Sequence, residues 1–229
     1  MNTAIKRIAT ATVTLLLGYS CGHVVAIASN FSHPTETHIA QLTSLRDTLI
    51  VPGERVGPVT RNTSRRDLAR LFGASRLTDK TIPGPEGEGR FLATDVNLGR
   101  ERSFTVVWSD STQTKPGSVR NLGSAWKTPE GIGVSTPMAE LRRQLGEFQL
   151  YGLAWDYSGT ILLENTRLSR YAGALILTVE PAPGAAQRFP NDYRAVLGDG
   201  TFSSNNPHWQ PLNMRVAAIT VMLDSDRGI

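Results

Sequence analysis

The chain has 229 residues, 40% of them hydrophobic and 19% charged, with 24 Lys and Arg against 20 Asp and Glu. This is the make-up of a globular protein long enough to bury its own core, and it argues against wholesale disorder. The net charge of +4, two units of which come from Lys6 and Arg7, leaves no basic stripe for nucleic acid, and the single Cys21 excludes an intrachain disulfide and any cysteine-built zinc site.

The first seven residues, MNTAIKR, are basic, and residues 8–28 carry no charged side chain. A positive start followed by an apolar run is the build of an export signal or N-terminal anchor, here residues 1–28. Three fates are open. Ala26-Ile27-Ala28 fits the small-x-small site cut by signal peptidase, which would release Ser29. The run is also long enough to span a bilayer as a membrane tether. Leu17-Gly18-Tyr19-Ser20-Cys21 resembles a bacterial lipobox, which makes Cys21 a candidate lipidation site. Each fate places the folded part outside the cytoplasm, whether periplasmic, secreted or membrane-tethered. Residues 29–50 read as a spacer. Ile39, Leu42, Leu45 and Leu49 in it are near helical spacing and predict a short amphipathic helix, stopped by Val51-Pro52-Gly53.

The most informative pattern is an internal repeat. TSRRDLARLFG at 63–73 matches TPMAELRRQLG at 136–146, pairing Asp67 with Glu140, Leu68 with Leu141, Arg70 with Arg143 and Gly73 with Gly146. Each copy reads as a short helix with one apolar face. A Thr hydroxyl (Thr63, Thr136) is expected to cap the start, with Ser64-x-x-Asp67 as an alternative capping box in the first copy and Pro137 at the first helical position of the second. Gly73 and Gly146 end the helices. Strands are expected after each helix, at 91–95, 104–110 and 118–122, then at 148–156, 159–164, 173–180 and 214–223. Residues 84–89, 181–190 and 198–211 read as turns and loops. The expected fold class is α+β: two tandem helix-plus-antiparallel-sheet units, 51–125 and 126–229, with the helices on one face of the sheet.

The segment Ile132-Gly133-Val134-Ser135-Thr136 through Leu145-Gly146, with its earlier copy, resembles the helix-then-strands repeat of the SmpA/OmlA-type outer-membrane-assembly lipoproteins and the tandem-repeat β-lactamase inhibitor proteins. Gly152 to Gly159, with Trp155-Asp156-Tyr157 inside it, is similar to an element of exported bacterial proteins of unassigned function. The resemblance implies an exported, non-enzymatic binding or envelope-assembly role. The first copy departs from it, with Thr60 where the second has Gly133. Only the structural motif matches, so no residue roles are carried over.

Chemistry is sparse. His23, His33 and His38 cluster early and His208 stands alone late, so neither a metal site nor a cofactor is expected. No G-x-S-x-G elbow accompanies His208, and Ser203-Ser204 lie near it only in sequence. Gly84 to Gly89 lacks the Lys-Ser/Thr of a phosphate loop. Glu130, Glu140, Asp156, Asp192 and Asp199 are the acidic candidates for a carboxylate pair, and Asp224-x-Asp226 lacks the rest of a calcium loop.

The best candidate surface is aromatic: Trp108, Trp126, Trp155, Tyr157 and Trp209, interspersed with Asp110, Asp156 and Arg120. On a strand, Trp155 and Tyr157 would share one face with Asp156 on the other. They are then either interface anchors, with Trp155, Asp156 and Tyr157 as binding residues, or core fillers with Asp156 capping a hairpin turn. The leading expectation is a non-catalytic module whose partner is an extracytoplasmic protein or envelope polymer. The alternative is an extracytoplasmic hydrolase of a sugar or cell-wall polymer acting through a carboxylate pair.

Overall fold

A computed structural model describes residues 46–84 and 89–223. The N-terminal signal, Cys21, most of the spacer, the centre of the 84–89 turn and Asp224-x-Asp226 lie outside the described residues. Among those described are five short α-helices and three antiparallel sheets, a mixed α and β architecture.

The described chain opens on strands β1 (Ile50–Val51), β2 (Arg55–Val56) and β3 (Val59–Thr60), a small antiparallel sheet. The helix expected up to Leu49 is not continued there. The Asp47 carboxylate accepts from the Leu49 N–H at 2.9 Å and from Arg55 at 2.5 Å, a local bond that competes with helical pairing. Leu49 instead bridges Lys127.

Helix α1 (Arg65–Phe72) starts at a capping box, with Ser64 and Asp67 bonded reciprocally. The threonine expectation needs correction. Thr63 does not cap the helix; its hydroxyl accepts from the N–H of Thr60, at 2.9 Å. Helix α2 (Met138–Leu145) behaves likewise, with Thr136 accepting from the N–H of Gly133 at 3.0 Å and Pro137 standing at the cap. In both places the Thr closes the turn that enters the helix. Gly73 (φ 91°) and Gly146 (φ 84°) end the helices in backbone that disfavours any other residue.

Strands β4 (Leu77–Pro83), β5 (Arg90–Val96), β6 (Phe104–Trp108) and β7 (Pro116–Arg120) follow α1 as an antiparallel meander. After α2 come β8 (Gln149–Tyr151), β9 (Ile161–Leu162) and β10 (Leu175–Glu180). The stretches read as loops and the unassigned residues between them then hold α3 (Ala185–Arg188), α4 (Pro190–Ala195), β11 (Thr201–Ser203) and α5 (Trp209–Leu212). Pro190 at the first position of α4 starts a helix that the Pro-rich composition disguises. The last strand, β12 (Arg215–Met222), enters the main sheet between β10 and β7, in the order β10-β12-β7-β6-β5-β4. Val221 pairs with Val119 and Met222 with Ser118, so the sheet crosses the expected boundary at 125/126. A second sheet, β11-β8-β9, is tied to the main one where Thr160 bridges Thr178 on β10.

One core serves these elements. Leu68 and Leu141, on the inward faces of their helices, are both fully buried. Phe72 of α1 meets Phe104 of β6 edge-on at 5.6 Å, and Phe104 meets Trp126 at 5.3 Å. Edge-to-face contacts of this kind add about 0.5–1.5 kcal/mol beyond area burial. Trp108, Trp126 and Trp209 belong to this core rather than to a surface. Their indole N–H groups donate to Thr94, Arg102 and Ser203 respectively, so none of the three indole nitrogens is stranded.

Candidate functional site

Of the aromatic candidates, Trp155 and Tyr157 alone stand out of the core, 60% and 62% exposed. They are neither core fillers nor alternating strand residues. Strand β8 ends at Tyr151 and β9 starts at Ile161, so both lie in the connecting loop. Asp156, between them, is exposed as well.

The loop is braced at its base. The Ser158 N–H donates to Trp155 O at 2.8 Å and the Thr160 N–H to Tyr157 O at 2.8 Å, two consecutive tight turns. Ala154 sits at φ 70°, held there as its N–H donates to the Ser158 hydroxyl at 3.0 Å. Two glycines allow close approach of backbone. A Cβ on Gly152 would lie 2.3 Å from Gly198 O, and one on Gly159 would lie 2.1 Å from Val179 O. The Gly152 N–H donates to Gly200 O and the Leu153 N–H to Val196 O, which fixes the 196–200 segment against the loop. The Tyr157 ring rests against Tyr151 at 5.3 Å between centroids.

This brace brings together Tyr151, Trp155, Asp156, Tyr157 and Asp199 around a cleft of about 110 Å³. The sequence singled out three of them as binding residues and named Asp199 only among the acidic candidates. That Asp199 and Tyr151 join the aromatics was not legible, because their proximity comes from the pairing of β11 with β8. The cleft is smaller than the roughly 300 Å³ at which enclosed small-molecule sites begin. It is a notch beside protruding aromatics.

The remaining chemical candidates are engaged elsewhere. His208 Nδ1 lies 2.9 Å from Asp192, linking α4 to the start of α5. The Ser203 hydroxyl donates to Glu147 at 2.9 Å, and the buried Ser204 hydroxyl accepts from the Phe148 N–H at 3.2 Å. Neither serine bonds His208, so the parts of a hydrolytic triad are not assembled. Glu130 pairs with Arg170, at 2.5 Å, and Glu140 with Arg143. Asp110 accepts from Thr112, Thr114 and Lys115 in a turn, and the Thr114 hydroxyl above all holds its carboxyl well below the usual range. Among the described residues no group of three His, Cys, Asp or Glu is placed to hold a metal ion. No helix among them is long and apolar enough to cross a membrane.

Compared with known proteins, the chain matches no family model, no curated protein and no solved structure.

Proposed function

We propose that this is an exported binding module that engages an extracytoplasmic protein or envelope polymer through the Trp155-Asp156-Tyr157 loop. The observation that carries the reading is the exposure of two large aromatics, at 60% and 62%, on a loop braced by Gly152 and Gly159. Leaving such side chains in water forgoes about 1.5–3 kcal/mol each of burial free energy. A pre-ordered aromatic pair recovers that on docking at little entropic cost, which is why Trp and Tyr dominate interface hot spots.

The tandem organisation belongs to the same proposal. Its support is local and repeated: an acid–arginine pair one helical turn apart in each helix (Asp67 with Arg70, Glu140 with Arg143), a Thr accepting from the third residue before it, and a positive-φ Gly at the end. We read the chain as two helix-plus-sheet units, helices on one face, joined through β7 and β12, in the manner of the SmpA/OmlA-type repeat. Export rests on residues 1–28, with cleavage after Ala28 as the favoured fate over lipidation at Cys21 or retention as an anchor.

The hydrolase alternative is less well supported. Asp156 and Asp199 do share the notch, but Glu130, Glu140 and Asp192 are spent on Arg170, Arg143 and His208. The test is a photo-crosslinking amino acid at position 155 in the native cell, with position 176 as control, because Ile176 is an exposed apolar residue outside the loop, on β10. A discrete product at 155 that is missing at 176 supports the reading. The same products at both positions, or none at either, refutes it.

A further inference from the structure

The main sheet carries a second feature, on the other side of the strands from Val106, Val119 and Val221. By register, Ile82 faces Phe91, Ala93 faces Val107, Val107 faces Ser118, and Ser118 faces Met222. Ile82, Phe91, Val107 and Met222 thus share one face, and they line an elongated trough of about 330 Å³. None of these four is fully buried.

Among the described residues, Arg120 is the one charged side chain in the lining. Its Nε is buried and has no hydrogen-bond partner. Asp95 feels the charge of Arg120 but does not hydrogen-bond it. Asp95 uses one oxygen to accept from Lys80 at 2.7 Å and the other to accept from the Thr105 hydroxyl at 2.6 Å. Asn121 in turn donates to Thr105 at 3.1 Å. Among the described residues the local account is two cations, Lys80 and Arg120, against one carboxylate, which leaves Arg120 as the surplus positive charge. A half-buried guanidinium beside apolar walls is costly until an anion reaches it.

We infer that this trough binds a single-chain amphiphile with an anionic head, the chain lying over Ile82, Phe91, Val107 and Met222 and the head on the Arg120 guanidinium. The volume sits at the small end of the range for enclosed ligand sites. At about 30 Å³ per non-hydrogen atom, the share of a water in the liquid, it holds about eleven such atoms, close to the size of a ten-carbon carboxylate with its ten carbons and two oxygens. The planar fork of Arg matches a carboxylate with two parallel bonds. This site is separate from the Trp155 loop and does not depend on it.

The test is calorimetric titration of the full chain with octanoate, decanoate and decanol, each below its aggregation limit. Saturable binding of decanoate is expected, about tenfold tighter than decanol because only the carboxylate brings a charge and two parallel acceptors to the guanidinium. Octanoate should bind more weakly by about fourfold for each methylene lost. Arg120→Met should bring decanoate down to the affinity of decanol, while Arg120→Lys retains part of the preference. Ser118→Phe should fill the trough and abolish both. Equal affinity for decanoate and decanol in the unaltered chain, or no saturable binding of decanoate, overturns the inference without recourse to any variant. Undiminished decanoate binding in a folded Arg120→Met chain overturns it equally.

Discussion

Gly159→Ala tests whether the aromatic loop is held by its base. Gly159 has φ 68°, and an added Cβ would come within 2.1 Å of Val179 O, a backbone atom that cannot rotate away. The left-handed conformation alone costs an L-residue about 1–2 kcal/mol. Relief of the overlap requires the loop and β10 to part, which breaks the bond from the Val179 N–H to Gly159 O, now 2.9 Å. Losing a buried backbone bond adds about 0.5–1.5 kcal/mol, so the expected destabilisation is roughly 2–3 kcal/mol. Gly173→Ala is the matched control. It has φ 74° but nothing within 4 Å of the added Cβ, so it should cost only the conformational part, about 1–2 kcal/mol. Urea unfolding followed by circular dichroism measures both. Equal losses in the two variants, or a Gly159→Ala chain within about 0.5 kcal/mol of the original, would refute the claim that close packing fixes the loop.

Trp155→Ala with Tyr157→Ala should leave the urea midpoint nearly unchanged, because both side chains are mostly in solvent, and should erase the crosslink or any partner pull-down. Leu141→Ala and Leu68→Ala should each cost about 2–5 kcal/mol in the same unfolding assay, because both are fully buried. Ser64→Ala should remove the capping box of α1 and about 1 kcal/mol; no loss would mean that the box contributes nothing. Acid sensitivity has a defined sign. Burial raises the Asp95 carboxyl, but hydrogen bonds from Lys80 and Thr105 outweigh that and leave it lowered; Asp79 is lowered chiefly by Arg65. Their stabilisation is therefore present above the unfolded carboxylate value, about pH 4, and fades as pH falls through the lower folded values. Asp79→Asn should flatten the loss of stability measured by urea titration between neutral and strongly acidic pH.

The two main helices were legible because their ends are written locally, in Ser64-x-x-Asp67 and in the glycines that follow each Leu- or Phe-rich turn. Strands β5, β6, β10 and β12 were legible because their apolar residues run with few breaks. Strand β4 was not. Asp79 and Lys80 sit at its centre, and a strand on the sheet edge can carry charge because one side faces water. The pairing of Asp192 with His208 and of Asp199 with the aromatic loop joins segments whose contact is set by the fold. Nothing in the spacing announces it. Trp155 shows the same limit from the other side. Its aromatic character fits core and surface alike, and only the early end of β8 decides between them.

The place of β12 bears on how the chain acquires its shape. Strands β4 to β7 can zip together as they emerge, each beside its predecessor. Strand β10, by contrast, finds its partner in the main sheet only when residues 215–222 arrive, and the same strand closes onto β7, just over a hundred positions earlier. Sheet completion thus waits for residues 215–222, and long-range pairing of this sort is slow. Until then β7 and β10 each present an open edge, the period in which self-association is most to be feared.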